Sequence, residues 1–188
     1  MAVETIRNSY WVMPGEIMAG PFPGAEDEFM YKLRLQTLYD AGIRAFINLQ
    51  QEGEMSLSSK KYKEDYSPIF RNILEMNDEP EIKGGTVRRF SIPDKSVPSE
   101  ELMIEILDEI DMLRSENIPL YIHCWGGIGR TGTVVGCWLM RHGLAHRGNV
   151  LDEIFDLRKT YLDPVCLAFP SPETDIQEKF ILDWEKGK

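Results

Sequence analysis

A chain of 188 residues, 43% hydrophobic and 28% charged, has the size and balance of one globular domain with its own core. Its net charge of −10 argues against nucleic acid or an anionic membrane as partner, because both need a basic footprint. Three scattered cysteines form neither a disulfide framework nor a zinc pattern, and MAVETIRNSYWV lacks the basic flank and apolar run of a signal peptide. A cytoplasmic, reducing location and a monomer are therefore expected, in a chain read as a single domain over 1–188.

In chain order, SYWVMPGEIMAGPFPG (9–24) mixes aromatic and apolar residues with Gly and Pro, which suggests a short strand or hairpin and a turn. Phe29, Leu33 and Leu38 space out like one face of a helix, with Gly42 as its stop. IRAFINL (43–49) is a continuous apolar run, the signature of a strand buried on both faces. Residues 50–85 carry no clear period, and SLSSKKYKED and NDEPEIKGG read as loops. VRRFSIPD (87–94) predicts another strand, ending at a proline and an aspartate.

Ser99 can cap a helix whose first turn holds Glu100 and Glu101 and whose apolar positions are Leu102, Ile106, Ile110 and Leu113. A strand over 118–123 follows, then a glycine-rich loop and a nearly all-apolar helix to His142, closed by Gly143. Thr131–Met140 carries no charge but is too short to cross a bilayer. Val150, Leu151, Ile154 and Leu157 fit one further helix, and Glu173–Trp184 a second. Strands alternating with helices imply an α/β fold around a central, mainly parallel sheet flanked by helices.

The chemistry concentrates in HCWGGIGRTG (123–132), between that strand and the buried helix. Gly127, Gly129 and Gly132 match GxGxxG, but the acidic residues at the required distance, Asp152 and Glu153, fall inside a helical period. Too little chain follows to build a dinucleotide-binding sheet. Nor is this a Walker A loop, which needs Lys after its last Gly. A thiol reading accounts for more of the residues. Gly126, Gly127 and Gly129 let successive N–H groups turn inward around an anion. Arg130 offers a planar fork to two phosphate oxygens, and the helix N-terminus adds its positive end. That environment also favours a thiolate at Cys124. The bland alternatives are a small buried apolar cysteine and a chance spacing to Arg130.

These residues resemble the protein-tyrosine phosphatase superfamily, whose signature is His-Cys, five residues, then Arg-Ser/Thr; HCWGGIGRTG fits it without departure. The resemblance is specific over 123–132, moderate over 87–98 and weaker at the two ends. It implies Cys124 as nucleophile, Arg130 as phosphate clamp, His123 as the residue that orients the loop and tunes the thiolate, and Thr131 as an aid to breakdown of the intermediate. Trp125, Gly126, Gly127, Ile128 and Gly129 would supply the phosphate-binding backbone. Asp94, in SIPDKSVPS, resembles the family's general acid, with Ile92 where tyrosine-specific members carry Trp; Asp78 is the fallback. Near the C-terminus Gln177 resembles the glutamine that positions the hydrolytic water, although Glu173 replaces a second glutamine of that segment.

The implied activity is a metal-free and cofactor-free phosphoric monoester hydrolase, acting through a phosphocysteine on a phosphorylated protein or peptide. Arg130 as the loop's only cation, together with the net charge, disfavours highly charged inositol phosphates and RNA ends. The Ile-Pro-Asp loop and the short chain lean toward the dual-specificity branch. A phosphatase of a non-protein phosphate ester, a phosphate-binding pseudoenzyme and a rhodanese-like sulfurtransferase stay open as alternatives. Arg88 and Arg89 could draw in an anionic peptide or be two exposed side chains, and Trp125 is read as packing before ring recognition.

Overall fold

The computed structural model describes residues 6–54, 65–80, 86–185 and 187–188. Five short strands form one sheet in the order β1-β2-β5-β3-β4. A hairpin of β1 (Tyr10–Met13) and β2 (Ile17–Gly20) is antiparallel, with Gly15 at φ 77° in its turn. The other pairings, of β2 with β5 (Leu120–His123) and of β3 (Ala45–Asn48) with β5 and β4 (Val87–Arg89), are all parallel.

Alternation along the central strands assigns the two layers. Ile17, Ala19, Ala45, Ile47, Leu120 and Ile122 face one core, while Met18, Phe46 and Tyr121 face another. Over the first lie α3 (Glu100–Ser115), α4 (Gly129–Arg141), α5 (Val150–Lys159) and α7 (Asp175–Leu182). Over the second lie α1 (Glu28–Asp40) and α2 (Ser67–Met76). Both faces being covered explains why β3 and β5 are apolar at every position before the polar Asn48 and His123 that end them.

Most expected elements are present, with instructive differences. Helix α1 begins at an Asp27 cap, but it buries Tyr31, Leu35 and Leu38; Phe29 and Leu33 are exposed. Two apolar stripes compete on this helix, and the one spaced i, i+4, i+7 takes the core. Helix α2 lies within the stretch that carried no clear period, and it buries Phe70, Ile73 and Leu74. Of the two loops expected there, residues 55–64 and 81–85 lie outside the described residues. Strand β4 is shorter than expected, yet Phe90 and Ile92 continue alongside β3 by donating to the Asn48 and Leu49 carbonyls. Ser99 caps α3 as expected, and a further short helix, α6 (Pro164–Leu167), was not signalled. Among the described residues no helix is long and apolar enough to cross a membrane.

The register aligns Gly20, His123 and Asn48 in one row, with Arg89 beside Asn48. Beyond this row, at the carboxyl ends of the parallel strands, each chain turns into a loop. Such an edge is where open α/β sheets bind ligands.

Candidate active site

Four of those loops converge. The loop after β5 begins with Cys124, which is 3% exposed, and runs into α4 at Gly129. Gly127, at φ 70°, is pressed so closely against the Gly20 carbonyl and Pro21 that a Cβ would collide with backbone. Gly126 differs from expectation: a Cβ there would approach nothing nearer than Ile128 at 3.9 Å, so packing does not require a glycine at this position. Trp125 is half-buried and stacks on Phe22, ring centroids 5.6 Å apart, while its carbonyl accepts from the Phe22 N–H. Packing, the reading favoured for this tryptophan, is what the geometry provides.

His123 is fully buried, and its ring spans two partners. Nδ1 lies 3.0 Å from the Cys124 carbonyl, an acceptor only, so Nδ1 carries the proton. Nε2 then accepts from the Tyr66 hydroxyl at 2.6 Å. Burial drives the imidazole pKa down to about 3, with the nearby Arg89 and Arg130 charges acting in the same direction. His123 is therefore neutral near pH 7 and acts on the loop as a dipolar strut. Tyr66 was not signalled by the sequence, because nothing local links it to a histidine in another element.

Arg130 sits in the first turn of α4 and is 1% exposed. Its planar fork, expected to be free for phosphate, is engaged by Glu54: Nη1–Oε2 is 2.5 Å and Nη2–Oε1 is 2.7 Å. Nη1 also donates to the Ile92 carbonyl at 3.0 Å. A buried guanidinium without a counter-ion would be costly, and Glu54 supplies one. Desolvation works against both charges. The hydrogen-bonded pair overcomes it, so Glu54 is held below the usual carboxylate range and Arg130 is raised above its own. Cys124 also acts to raise Arg130 through space, which couples the guanidinium electrostatically to the sulfur.

Arg130 Nε and Thr131 Oγ1 are buried without a hydrogen-bond partner among the described residues. Such orphans mark places where a polar ligand can be received. The edge of the guanidinium offered to an anion is thus the Nε side rather than the fork.

Asp94 arrives on the loop after β4, in a turn closed by the Ser96 N–H on the Pro93 carbonyl. Its Oδ1 lies 3.0 Å from Arg130 Nη2, and the side chain stays 58% exposed. The structure thus brings Cys124, Arg130 and Asp94 to one site. Asp78 lies instead in the turn behind α2, at φ 56°.

The two arginines of β4 have structural roles. Arg88 pairs with Glu109 of α3 at 2.6 Å. Arg89 donates to the Gln50 and Gln51 carbonyls at 3.1 and 3.2 Å, and so steadies the segment that carries Glu54.

Gln177 has no free acceptor on its amide with which to steer a water. It is fully buried, and its Oε1 accepts from the Glu173 and Thr174 N–H groups, both at 3.2 Å, which uses both lone pairs. Its Nε2 donates to the Ser96 carbonyl at 3.0 Å. The three cysteines are unpaired, and no cluster of His, Cys, Asp and Glu that could hold a metal occurs among the described residues.

Comparison with known proteins places these features in context. The family described as "Tc-R-P: Polymorphic toxin system, DSP-PTPase phosphatase" matches residues 29–144. The dual specificity protein phosphatase CDC14B of Mus musculus is 34% identical over 90 residues, covering 42% of this chain and 18% of that protein. The chain thus spans under a fifth of this relative's length. Among solved structures, Tk-PTP in its active form shares the fold with a TM-score of 0.66 at 23% identity, covering 95% of this chain and 96% of that one. The catalytic domain of the PP-IP phosphatase SIW14 from S. cerevisiae does so with a TM-score of 0.58 at 20% identity, covering 97% and 89%.

Proposed function

Because this chain belongs to the DSP-PTPase family within the cysteine-dependent protein-tyrosine phosphatase superfamily, we propose that it hydrolyses phosphoric monoesters through a phosphocysteine on Cys124. Its proposed substrates are phosphorylated tyrosine, or tyrosine and serine/threonine, in a protein or peptide, and its proposed setting is the cytoplasm, as a monomer. The observation that carries the reading is Arg130: a buried guanidinium whose Nε has no partner among the described residues, at a helix N-terminus, its Nη2 3.0 Å from Asp94, following a loop that begins with a buried thiol.

The Cys124 thiolate attacks phosphorus, and the bond to the ester oxygen breaks. The equatorial oxygens are held by Arg130 Nε and by backbone N–H groups of the loop over 125–130. Asp94, protonated, gives its proton to the leaving oxygen. Asp94, now ionised, then takes a proton from the water that attacks the phosphocysteine, releasing phosphate and restoring the thiolate. Thr131 Oγ1 offers its hydroxyl to the sulfur as it leaves. Glu54 fixes the guanidinium plane, and His123 fixes the Cys124 carbonyl.

A protein or peptide substrate is favoured over a polyphosphorylated small molecule by the charge of the site. Arg130 is the only cation within 123–132, and Glu54 and Asp94 both lie against it. The test is hydrolysis of matched phosphotyrosine and phosphoserine peptides, set beside soluble inositol phosphates and pyrophosphates. A kcat/KM for the peptides that exceeds the inositol compounds by tenfold or more supports the reading; the reverse order overturns the substrate class.

A further inference from the structure

The segment before and within the first turn of α7 touches both halves of the site. Toward the acid loop, Gln177 Nε2 donates to the Ser96 carbonyl at 3.0 Å and Thr174 Oγ1 to the Lys95 carbonyl at 3.3 Å. Lys95 Nζ also lies 3.3 Å from Glu173 Oε1. Toward the phosphate loop, Ser171 Oγ donates to the Ile128 carbonyl at 2.8 Å. A Cβ on Gly129 would come within 2.9 Å of Gln177 Oε1 and 3.1 Å of Glu173 Oε2.

The acid loop needs such support. It has no strand partner from Pro93 onward, Lys95 sits in left-handed backbone at φ 58°, and Asp94 itself is more than half exposed. Two successive carbonyls, those of Lys95 and Ser96, are tied to a helix start that is itself closed by a reciprocal capping box of Thr174 and Gln177.

We propose that residues 171–177 form a clamp that sets Asp94 over the phosphate loop, with Gln177 and Thr174 as positioning residues for proton delivery rather than as holders of the hydrolytic water. This inference rests on the phosphocysteine reading of the site. Gln177 acts through the Ser96 carbonyl, so its contribution reaches the reaction only by way of Asp94. The water-holding alternative would need the acceptor positions that the Glu173 and Thr174 N–H groups occupy.

The two roles affect different steps. kcat/KM reports events up to formation of the phosphocysteine and is blind to its hydrolysis. Phenyl phosphate needs a proton on its leaving oxygen, whereas 2,4-dinitrophenyl phosphate does not. For Gln177→Leu, kcat/KM on phenyl phosphate is expected to fall by about tenfold or more, short of the roughly 10²–10⁴-fold that loss of a general acid costs. On 2,4-dinitrophenyl phosphate it should stay within about twofold, and in an Asp94→Asn background Gln177→Leu should add nothing on either substrate.

Should Gln177→Leu not fold, Thr174→Val carries the same test, and Thr174→Ser, which keeps the hydroxyl, should restore the phenyl phosphate rate. Unchanged kcat/KM on both substrates with a lowered kcat and accumulating phosphocysteine would overturn the clamp in favour of a water holder. Equal losses on both substrates would reduce these residues to a structural role. Failure of the phosphocysteine reading would show separately, as activity retained by Cys124→Ser.

Discussion

Acidification from pH 7 to pH 5 should destabilise this protein chiefly through His123. The folded imidazole is neutral, with a pKa near 3, because it is fully buried and its Nε2 accepts from Tyr66. In the unfolded chain it titrates near the ordinary value of 6.5. Between those values the unfolded state binds a proton that the folded state refuses, so stability rises with pH across that window and falls as pH is lowered. Each unit below the unfolded value costs about 1.4 kcal/mol, so the step from pH 7 to pH 5 removes about 2 kcal/mol. For a chain of this length that lowers Tm by about 4–8 °C. Urea unfolding of wild type and His123→Asn at both pH values isolates the effect, since every other titrating group is common to the two. The wild type should lose about 2 kcal/mol more than the variant on acidification. Equal losses would mean that His123 is not held neutral, and the tautomer assigned from its contacts would be wrong.

Other consequences can be measured on the same protein. Tyr66→Phe leaves His123 Nε2 a buried acceptor without its donor at 2.6 Å, and should cost about 1–3 kcal/mol by denaturant unfolding. Glu54→Gln removes the counter-ion from Arg130 while keeping its shape. The guanidinium plane is then less well held, so kcat/KM should fall by about tenfold to a hundredfold and inorganic phosphate should inhibit more weakly; unchanged values would show that Glu54 is a bystander. Gly126→Ala should retain activity within about twofold, whereas Gly127→Ala, driven into the Gly20 and Pro21 backbone, should lose phosphate binding by isothermal titration.

What was legible in the sequence was what is local. β3 and β5 announce themselves because both faces of each are buried, and the phosphate loop because its cysteine, arginine and glycines are neighbours in the chain. Asp94 was readable through the resemblance of its Pro-Asp pair, set after a strand, to the acid loop of the family. The face of α1 was not, since Phe29 and Leu33 offer as good a stripe as Tyr31, Leu35 and Leu38 until α2 is known to pack there. Helix α2 did carry a signal in the spacing of Phe70, Ile73 and Leu74, within a polar stretch that hid it. Glu54 and Tyr66 left none. Each matters only through a partner in another element, Arg130 and His123, and no periodicity records such a meeting. Resemblance gave Gln177 the place of a water-positioning glutamine, but not the direction of its amide, whose acceptor is turned to the Glu173 and Thr174 N–H groups.

The most direct test of the account is to mix enzyme with excess 2,4-dinitrophenyl phosphate in EDTA, quench in acid within the first turnovers, and weigh the intact protein. The account predicts one added phosphoryl group in the wild type, mapped to the peptide containing Cys124, and none in Cys124→Ser, which should also be inactive. Steady turnover by Cys124→Ser, or a phosphoryl group carried on any other residue, would contradict it.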